Sequence, residues 1–227
     1  MPDPVAGAPL LETACAFRPR ILAERERIEN GRRLPHDLAQ ELAAAGFFRI
    51  FVPEAYGGLD LEPMAALEVY EELARADASV AWCVWNGNTH WTTIQLAPEV
   101  AGAIHADPHV IIANSTRASG KAEVVDSGYR VTGRWALVSG CQLAAWMILL
   151  CTVHEDGKPR PLRSRRLRTD SCFARPRPAR SSTPGRSAGC AVPAAMTWRC
   201  AIFLCQVPTR RRRRTRSCCQ ARAIGCH

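Results

Sequence analysis

The stretch Gly46-Phe-Phe-Arg-Ile-Phe-Val-Pro-Glu-Ala-Tyr-Gly-Gly58 contains the strongest structural signals in this chain of 227 residues. Its first half, residues 47–52, predicts a short apolar link. The half that starts at Pro53 predicts a turn, because two adjacent glycines can adopt positive φ. The segments on either side of this link therefore decide the fold class.

Two helices are predicted before this stretch. Residues 11–28 carry apolar side chains at helical spacing, which predicts a first helix that closes at Asn30-Gly31. Pro19 marks a kink or a boundary in this segment, because proline removes a backbone donor. The second helix begins at Pro35 and ends at Gly46.

Three more helices are predicted after the stretch. Asp60 is a favourable N-cap for the third helix, in which we expect Met64 and Leu67 to pack in the core. Glu71 and Arg75 can pair one helical turn apart on its solvent side. A fourth helix, rich in tryptophan, starts at Ser79, and a fifth runs from Pro98 to His105.

The hydrophobic period changes to that of β-strands after residue 106, with a hairpin turn predicted at 126–128 and another turn at 155–158. The sequence therefore predicts an α+β fold, with an N-terminal α-helical domain at 1–106 and a partial antiparallel β-barrel-like domain at 107–160. It contains no G-x-G-x-x-G and no P-loop, so a Rossmann or NTPase fold has no support. The β-like segments are 110–113, 122–125, 129–135 and 145–153.

Charge and cysteine divide the chain at about residue 160. The whole chain has 30 Lys+Arg, 21 Asp+Glu and 11 Cys, for a net charge of +9. Residues 161–227 hold 16 of those basic residues, all Arg, with one Asp and seven of the cysteines. Such a segment has no apolar periodicity and repels itself, so we expect residues 161–227 to be a disordered basic tail.

Three interpretations of residues 161–227 compete. Five consecutive arginines at 210–214 favour a nucleic-acid-binding arm. A zinc site is disfavoured because the cysteines show no C-x-x-C spacing, and we expect no metal site. The third interpretation is that GC-rich DNA is read in the wrong frame, which would yield Arg, Pro, Ala, Ser, Gly and Cys but no Lys.

A codon argument favours the frame change. Met196-Thr197 must be encoded ATG-ACN, and the shifted frame then reads GAC, which encodes Asp. Upstream codons permit the string Thr-Trp-Ser-Val-x-Gly-Leu-Arg-Gly-Thr-Gly-Ser-His-Asp in that frame. We therefore predict that the genuine frame is lost near residue 160.

The first 160 residues are typical of a cytoplasmic protein. The N-terminus has no basic segment followed by an apolar one, so a secretory signal is not expected. The longest apolar run, 143–151, is shorter than the roughly 20 residues needed to span a bilayer. Cys15, Cys83, Cys141 and Cys151 lie among apolar neighbours, which predicts buried, reduced thiols.

Three strings resemble the acyl-CoA dehydrogenase superfamily of flavoproteins: residues 46–58, Glu71-Glu-Leu-Ala-Arg-Ala-Asp-Ala-Ser79 and Gly128-Tyr-Arg-Val-Thr-Gly-Arg-Trp135. The resemblance covers about residues 10–160. Trp82, His90 and the string 135–141 look more like the hydroxylase, or monooxygenase, branch. Residues 115–122 lack the Glu, Ser and Asp of the dehydrogenases, which disfavours chemistry on a CoA thioester.

The resemblance implies a flavin site. It identifies His90 as the candidate catalytic residue, able to exchange a proton with a phenol-like group. Trp82 and His90 would line the substrate side, although a helical Trp is more often core and the residue pattern alone is equally consistent with a structural His90. The implied cofactor-binding residues are Trp82, Ser115, Thr116, Trp135 and Ser139.

The resemblance also implies partners: FAD or FMN, a flavin reductase that supplies it in reduced form, and a small-molecule substrate. The family's C-terminal helical bundle is missing, so we expect a truncated, inactive chain that neither retains flavin nor forms the family's homotetramer. Two alternatives stay open, an acyl-CoA dehydrogenase that uses FAD and an arginine-rich nucleic-acid-binding protein. We expect no membrane and no specific nucleic acid as partners.

Overall fold

The computed structural model describes residues 7–125, 128–133, 135, 137–160, 169–174, 198–200 and 204–205. Most of the predicted basic tail, the segment for which the sequence predicts disorder, therefore lies outside the described residues. The helices are α1 Ala8–Ala23, α2 Arg25–Gly31, α3 His36–Ala44, α4 Pro63–Ala76, α5 Ala78–Gly87 and α6 Pro98–His105, with 3-10 helices at Glu54–Tyr56 and Thr89–Gln95.

The first predicted helix is two helices, and the break is not at proline. Pro19 lies inside α1, whereas the break between α1 and α2 is at Glu24, which caps both helices. The Glu24 carboxylate is bound by Arg20 and, at 2.7 Å, by Arg27, one residue from each helix. The boundary is therefore stabilised by side chains on both sides of it.

Helix α4 differs from its prediction at the N-cap and on its buried face. Asp60 has a left-handed φ of 45°, and Glu62 occupies the N-cap position instead. Met64 is 71% exposed and Leu67 is exposed too, so the predicted core packing of both is wrong. Positions three apart drift by about 60° around a helix, so a row stepping by threes leaves the core face.

The acidic residues of α4 also divide between core and solvent. Glu71 pairs with Arg75 at 2.8 Å on the exposed side, which confirms that predicted ion pair. Glu72 is 4% exposed and pairs with Arg18 of α1 and with Arg75. Its guanidinium partners stabilise the charged form and lower the pKa of Glu72.

The predicted link after α3 is the centre of the helical core. Phe47, Phe48 and Ile50 are fully buried, and Phe47 meets Phe17 of α1 edge to face at 5.5 Å between ring centroids. The turn at 53–58 follows as predicted. Only Gly57 uses positive φ there, at 74°.

The strands form one sheet with the order β6-β2-β1-β3-β5-β7, and β4 pairs with β3. β1 and β2 are antiparallel with Val125 opposite Gly128, as the predicted hairpin requires. Within the residues described, the sheet is open and does not close into a barrel. The predicted α+β class is confirmed. The strands are β1 Ile112–Val125, β2 Gly128–Gly133, β3 Trp146–Glu155, β4 Lys158–Pro159, β5 Thr169–Ala174, β6 Trp198–Cys200 and β7 Leu204–Cys205.

Strands β5, β6 and β7 lie within residues 161–227, so at these positions the structure departs from the predicted disorder. The chain forms two compact units. Unit 1 contains residues 1–91, 104–114 and 139–145, and unit 2 contains residues 92–103, 115–138 and 146–227.

The described residues include no helix that is both long and apolar enough to cross a membrane, and no cluster of three or more metal-ligating side chains. Cys83 and Cys151 are free thiols, whereas Cys15 is free but exposed. Cys141 forms a disulfide. The prediction of buried, reduced thiols is therefore wrong for Cys15 and Cys141.

Candidate functional site

Helix α5 presents two tryptophans on its outer face. The helix starts one residue earlier than predicted because Asp77 is its N-cap, accepting hydrogen bonds from the Ser79 and Val80 amides. The opposite face is buried, which leaves Trp82 and Trp85 53% and 49% exposed. Their ring centroids lie 5.0 Å apart.

Ser139 lies next to this pair. Its Oγ accepts a hydrogen bond of 3.0 Å from Trp82 Nε1, across 57 positions of sequence. We call Trp82, Trp85 and Ser139 the indole face. Exposed aromatic rings beside a hydroxyl can stack on a planar ligand and bond its polar edge, so two of the predicted cofactor-binding residues are brought together here.

Asn88 is the residue that follows the last turn of α5. Its side chain accepts from the Ile50 amide at 2.9 Å and donates to the carbonyls of Phe47 and Val84 at 2.7 and 2.8 Å. It thereby ties the end of α5 to the buried link. The sequence does not single out Asn88, because it stands in the polar run Asn86-Gly-Asn-Thr-His90.

His90 lies in the 3-10 helix after α5 and is fully buried. Its ring centroid is 5.1 Å from that of His105, which is itself 5.4 Å from that of Tyr56 in a stacked arrangement. His105, given no role by the sequence, is therefore the ring shared by both contacts. The predicted catalytic residue is enclosed rather than exposed beside Trp82.

A buried guanidinium completes this group. Arg49 is 6% exposed and donates to the carbonyls of Tyr56, Gly57, Asp107 and Pro108, the last three at 3.0, 3.4 and 3.3 Å. We call Arg49, Tyr56, His90 and His105 the imidazole cluster. Arg49 thus joins the 53–58 turn to the segment that follows α6.

Both imidazoles are held in the neutral form. Burial, followed by the charges of His105 and Arg49, lowers the pKa of His90 to about 3, against a smaller opposing effect of a hydrogen bond with the Gly87 backbone. Burial and Arg49 lower the pKa of His105 to about 4. The same burial lowers the pKa of Arg49, while Asp107 acts in the opposite direction.

These shifts predict acid sensitivity of unit 1. The ordinary histidine pKa of 6.5 applies to the unfolded chain. Below pH 6.5 the two imidazoles therefore bind protons in the unfolded state but not in the folded state. The neutral imidazoles therefore make their full contribution to stability above pH 6.5. As the pH falls from 6.5 toward 4, the free energy of unfolding decreases by about 1.4 kcal/mol per pH unit for each imidazole. Urea unfolding at pH 7.5, 6 and 5 measures this slope. A midpoint that does not change over this range would contradict the neutral cluster.

The other predicted flavin residues belong to unit 2. Ser115 is buried and Thr116 is exposed on β1. Trp135 is fully buried, and its Nε1 donates to Leu150 O at 3.0 Å. A Cβ built on Gly120 would lie 2.1 Å from its ring, so the indole fills space that only glycine leaves free. This burial favours a packing role for Trp135, and all three flavin contacts stay predictions.

A cleft of about 780 Å³ opens beside α2 and α3 in unit 1. Its lining includes Arg27 and Asp37, which pair with each other at 2.9 Å. It contains none of the predicted site residues.

Residues 10–97 match the family "Acyl-CoA dehydrogenase, N-terminal domain". The chain is 34% identical over 149 residues to the oxygenase subunit HsaA of a flavin-dependent monooxygenase from Rhodococcus jostii, covering 63% of this chain and 38% of that protein. It is 33% identical over 136 residues to the oxygenase component of the FADH(2)-dependent resorcinol hydroxylase from a Rhizobium species, covering 59% of this chain and 33% of that protein.

Solved structures agree. The HsaA monooxygenase from M. tuberculosis superimposes with a TM-score of 0.66 at 27% identity, over 74% of this chain and 45% of that one. Butyryl-CoA dehydrogenase from Megasphaera elsdenii, at 15% identity and a TM-score of 0.61 over 77% and 49% of the two chains, shares the fold. The chain thus spans less than half the length of these relatives. Residues 10–97 are similar to the N-terminal domain of acyl-CoA dehydrogenases, and the two relatives that are 34% and 33% identical to the chain are oxygenase components of flavin-dependent enzymes.

Proposed function

We propose that this chain carries the first part of the oxygenase component of a two-component flavin-dependent monooxygenase that acts on a small aromatic substrate. The observation that carries the proposal is the indole face, where two half-exposed rings and a hydroxyl meet. The named relatives support it, since one is a resorcinol hydroxylase and another, from Pseudomonas putida, is an indole-3-acetate monooxygenase.

The indole face fits a flavin in its chemistry. Trp82 offers an apolar ring surface, and the Ser139 hydroxyl can bond a polar ring edge. Separately, in unit 2, the hydroxyl of Thr116, exposed on β1, is proposed to bond a flavin. A bound reduced flavin, FAD or FMN delivered by a reductase, would supply the electrons that activate oxygen.

His90 is the group proposed to exchange a proton with a phenol-like hydroxyl. A neutral imidazole nitrogen can accept a hydrogen bond from that hydroxyl, and the low pKa of His90 keeps it neutral at physiological pH. Full transfer of the proton to His90 requires the imidazole cluster to open, because burial is the main cause of the low pKa. The ring has no exposed surface, so a substrate reaches it only if the imidazole cluster opens. Water is excluded from His90 until then.

The proposal for residues 161–227 is a lost reading frame. The alignments with two relatives span 149 and 136 residues of this 227-residue chain. These lengths support the proposal that only about the first 150 to 160 residues are family-like. We expect the coding DNA near codons 158–166 to show an inserted or deleted base, whose reversal restores family-like strings. Resequencing this region checks it. An intact frame there would favour the arginine-rich nucleic-acid-binding alternative.

The activity test uses both versions of the gene. With a flavin reductase, NADH, FAD or FMN and resorcinol, we expect the frame-restored protein to form hydroxylated product and the chain as given to form none. Trp82→Leu in the restored protein is expected to lower kcat/KM by at least about tenfold, since removing a stacked ring costs about 1.4 kcal/mol or more. Met64→Gln, on the exposed face of α4, is the control. Reduction of a dye by an acyl-CoA would instead support the dehydrogenase.

A further inference from the structure

The imidazole cluster contains a second histidine that the proposed chemistry does not use. We propose that His105 is a positioning residue for His90, and that Arg49 keeps the pair uncharged, so that His90 meets a substrate as a neutral imidazole of fixed orientation. This inference rests on the proposed function only for the role of His90. The geometry of the cluster stands independently of it.

The orientation argument rests on the ring contacts. The His90 and His105 rings are inclined by 32° at 5.1 Å, and the His105 and Tyr56 rings by 30° at 5.4 Å. His105 is the last residue of α6 and Tyr56 the last residue of a 3-10 helix, so each ring is carried by a different element. A ring in contact with another ring that is itself stacked cannot rotate freely about its χ2 angle.

The charge argument rests on Arg49. Carbonyl oxygens from two separate segments, 56–57 and 107–108, bind its guanidinium, so the cation stays in place. Among the described residues, the charges that act on His90 are those of His105 and Arg49, and Asp107 acts on Arg49. A proton on either imidazole would add a second buried positive charge beside the first, which burial makes unfavourable.

The test is an imidazole nitrogen titration of the full chain by long-range proton–nitrogen NMR. His90→Gln and His105→Gln assign the two signal sets, and the exposed His36 and His109 serve as internal references. We expect His90 and His105 to show a single neutral tautomer each and no protonation down to about pH 5. Titration of His90 and His105 at the ordinary histidine pKa of about 6.5 in the unmodified chain would overturn the proposal.

Paired variants separate ring contact from charge. His105→Phe keeps a ring and should preserve the sharp ring signals of His90, whereas His105→Ala removes the ring contact and should broaden them, because the His90 ring can then change its orientation. Arg49→Met should raise the protonation midpoint of His105 by about half a pH unit or more, and Arg49→Lys, which restores the charge, should keep it low. Equal effects of His105→Phe and His105→Ala would refute the positioning role of His105. Equal effects of Arg49→Met and Arg49→Lys would refute the charge role of Arg49.

None of these signals depends on turnover. If the frame-restored protein hydroxylates no substrate while the titration gives the expected pattern, the proposed function fails and the positioning geometry stands. If hydroxylation occurs but His90 titrates normally, the inference fails alone.

Discussion

Asn88→Ala is expected to lower the free energy of unfolding by about 3–5 kcal/mol. The substitution leaves the Ile50 amide and the Phe47 carbonyl inside the core without the side chain that satisfies them, and each such group costs about 1–3 kcal/mol. It also releases the carbonyl of Val84 from its side-chain bond. Urea unfolding followed by far-UV circular dichroism measures the loss.

A matched control lies two positions earlier on the same helix. Asn86 is half-buried, and its described side-chain hydrogen bond, which is exposed, is a donation to the Trp82 carbonyl at 2.8 Å. Asn86→Ala should therefore change stability by less than about 0.5 kcal/mol, because water replaces the lost bond. Equal effects of the two substitutions would mean that Asn88 does not bridge α5 and the buried link.

Gly58→Ala should destabilise the protein by about 3 kcal/mol or more, or prevent folding. A Cβ at Gly58 would lie 1.8 Å from Val52 O and 2.2 Å from Val52 C, so the backbone itself must move. Val52 cannot yield easily, because its side chain is buried and its carbonyl accepts the Asp60 amide at 3.1 Å. The same urea series measures the effect.

Gly31→Ala tests whether any added methyl group is harmful. Gly31 ends α2, and the nearest heavy atom to a Cβ placed there is Arg33 Cγ at 3.7 Å, an ordinary contact. This variant should match or exceed the original stability by up to about 1 kcal/mol, since alanine favours helix. A tolerated Gly58→Ala would show that the 53–58 turn is not packed as described.

Local patterns carried much of the fold. The buried link, the turn after it, the hairpin at Val125 and Gly128, and the Glu71–Arg75 pair all involve near neighbours in sequence. Their residue types and spacing determine such features directly. The same reasoning failed for Met64, because spacing by threes does not reveal which side of α4 meets the core.

The sequence pointed to some residues of the two clusters but not to their arrangement, and the roles predicted for them stay predictions. Family-like strings pointed to Trp82 and Ser139, which the structure joins across 57 positions. They also pointed to Trp135, which the structure encloses within unit 2. A short sequence motif can point to a residue, but the exposure of that residue depends on all the side chains that pack around it.

The amino-acid sequence by itself determined the α+β class and the succession of helices followed by strands, because periodicity and turn chemistry act over a few residues. Only the tertiary structure decided that His90 contacts His105, that Arg49 binds carbonyls from two segments, and that Asn88 bridges α5 to Phe47. These contacts join residues that lie far apart in sequence, by 58 positions for Arg49 and Asp107. The packing of the core, rather than any local pattern, brings them within hydrogen-bonding or ring-contact distance.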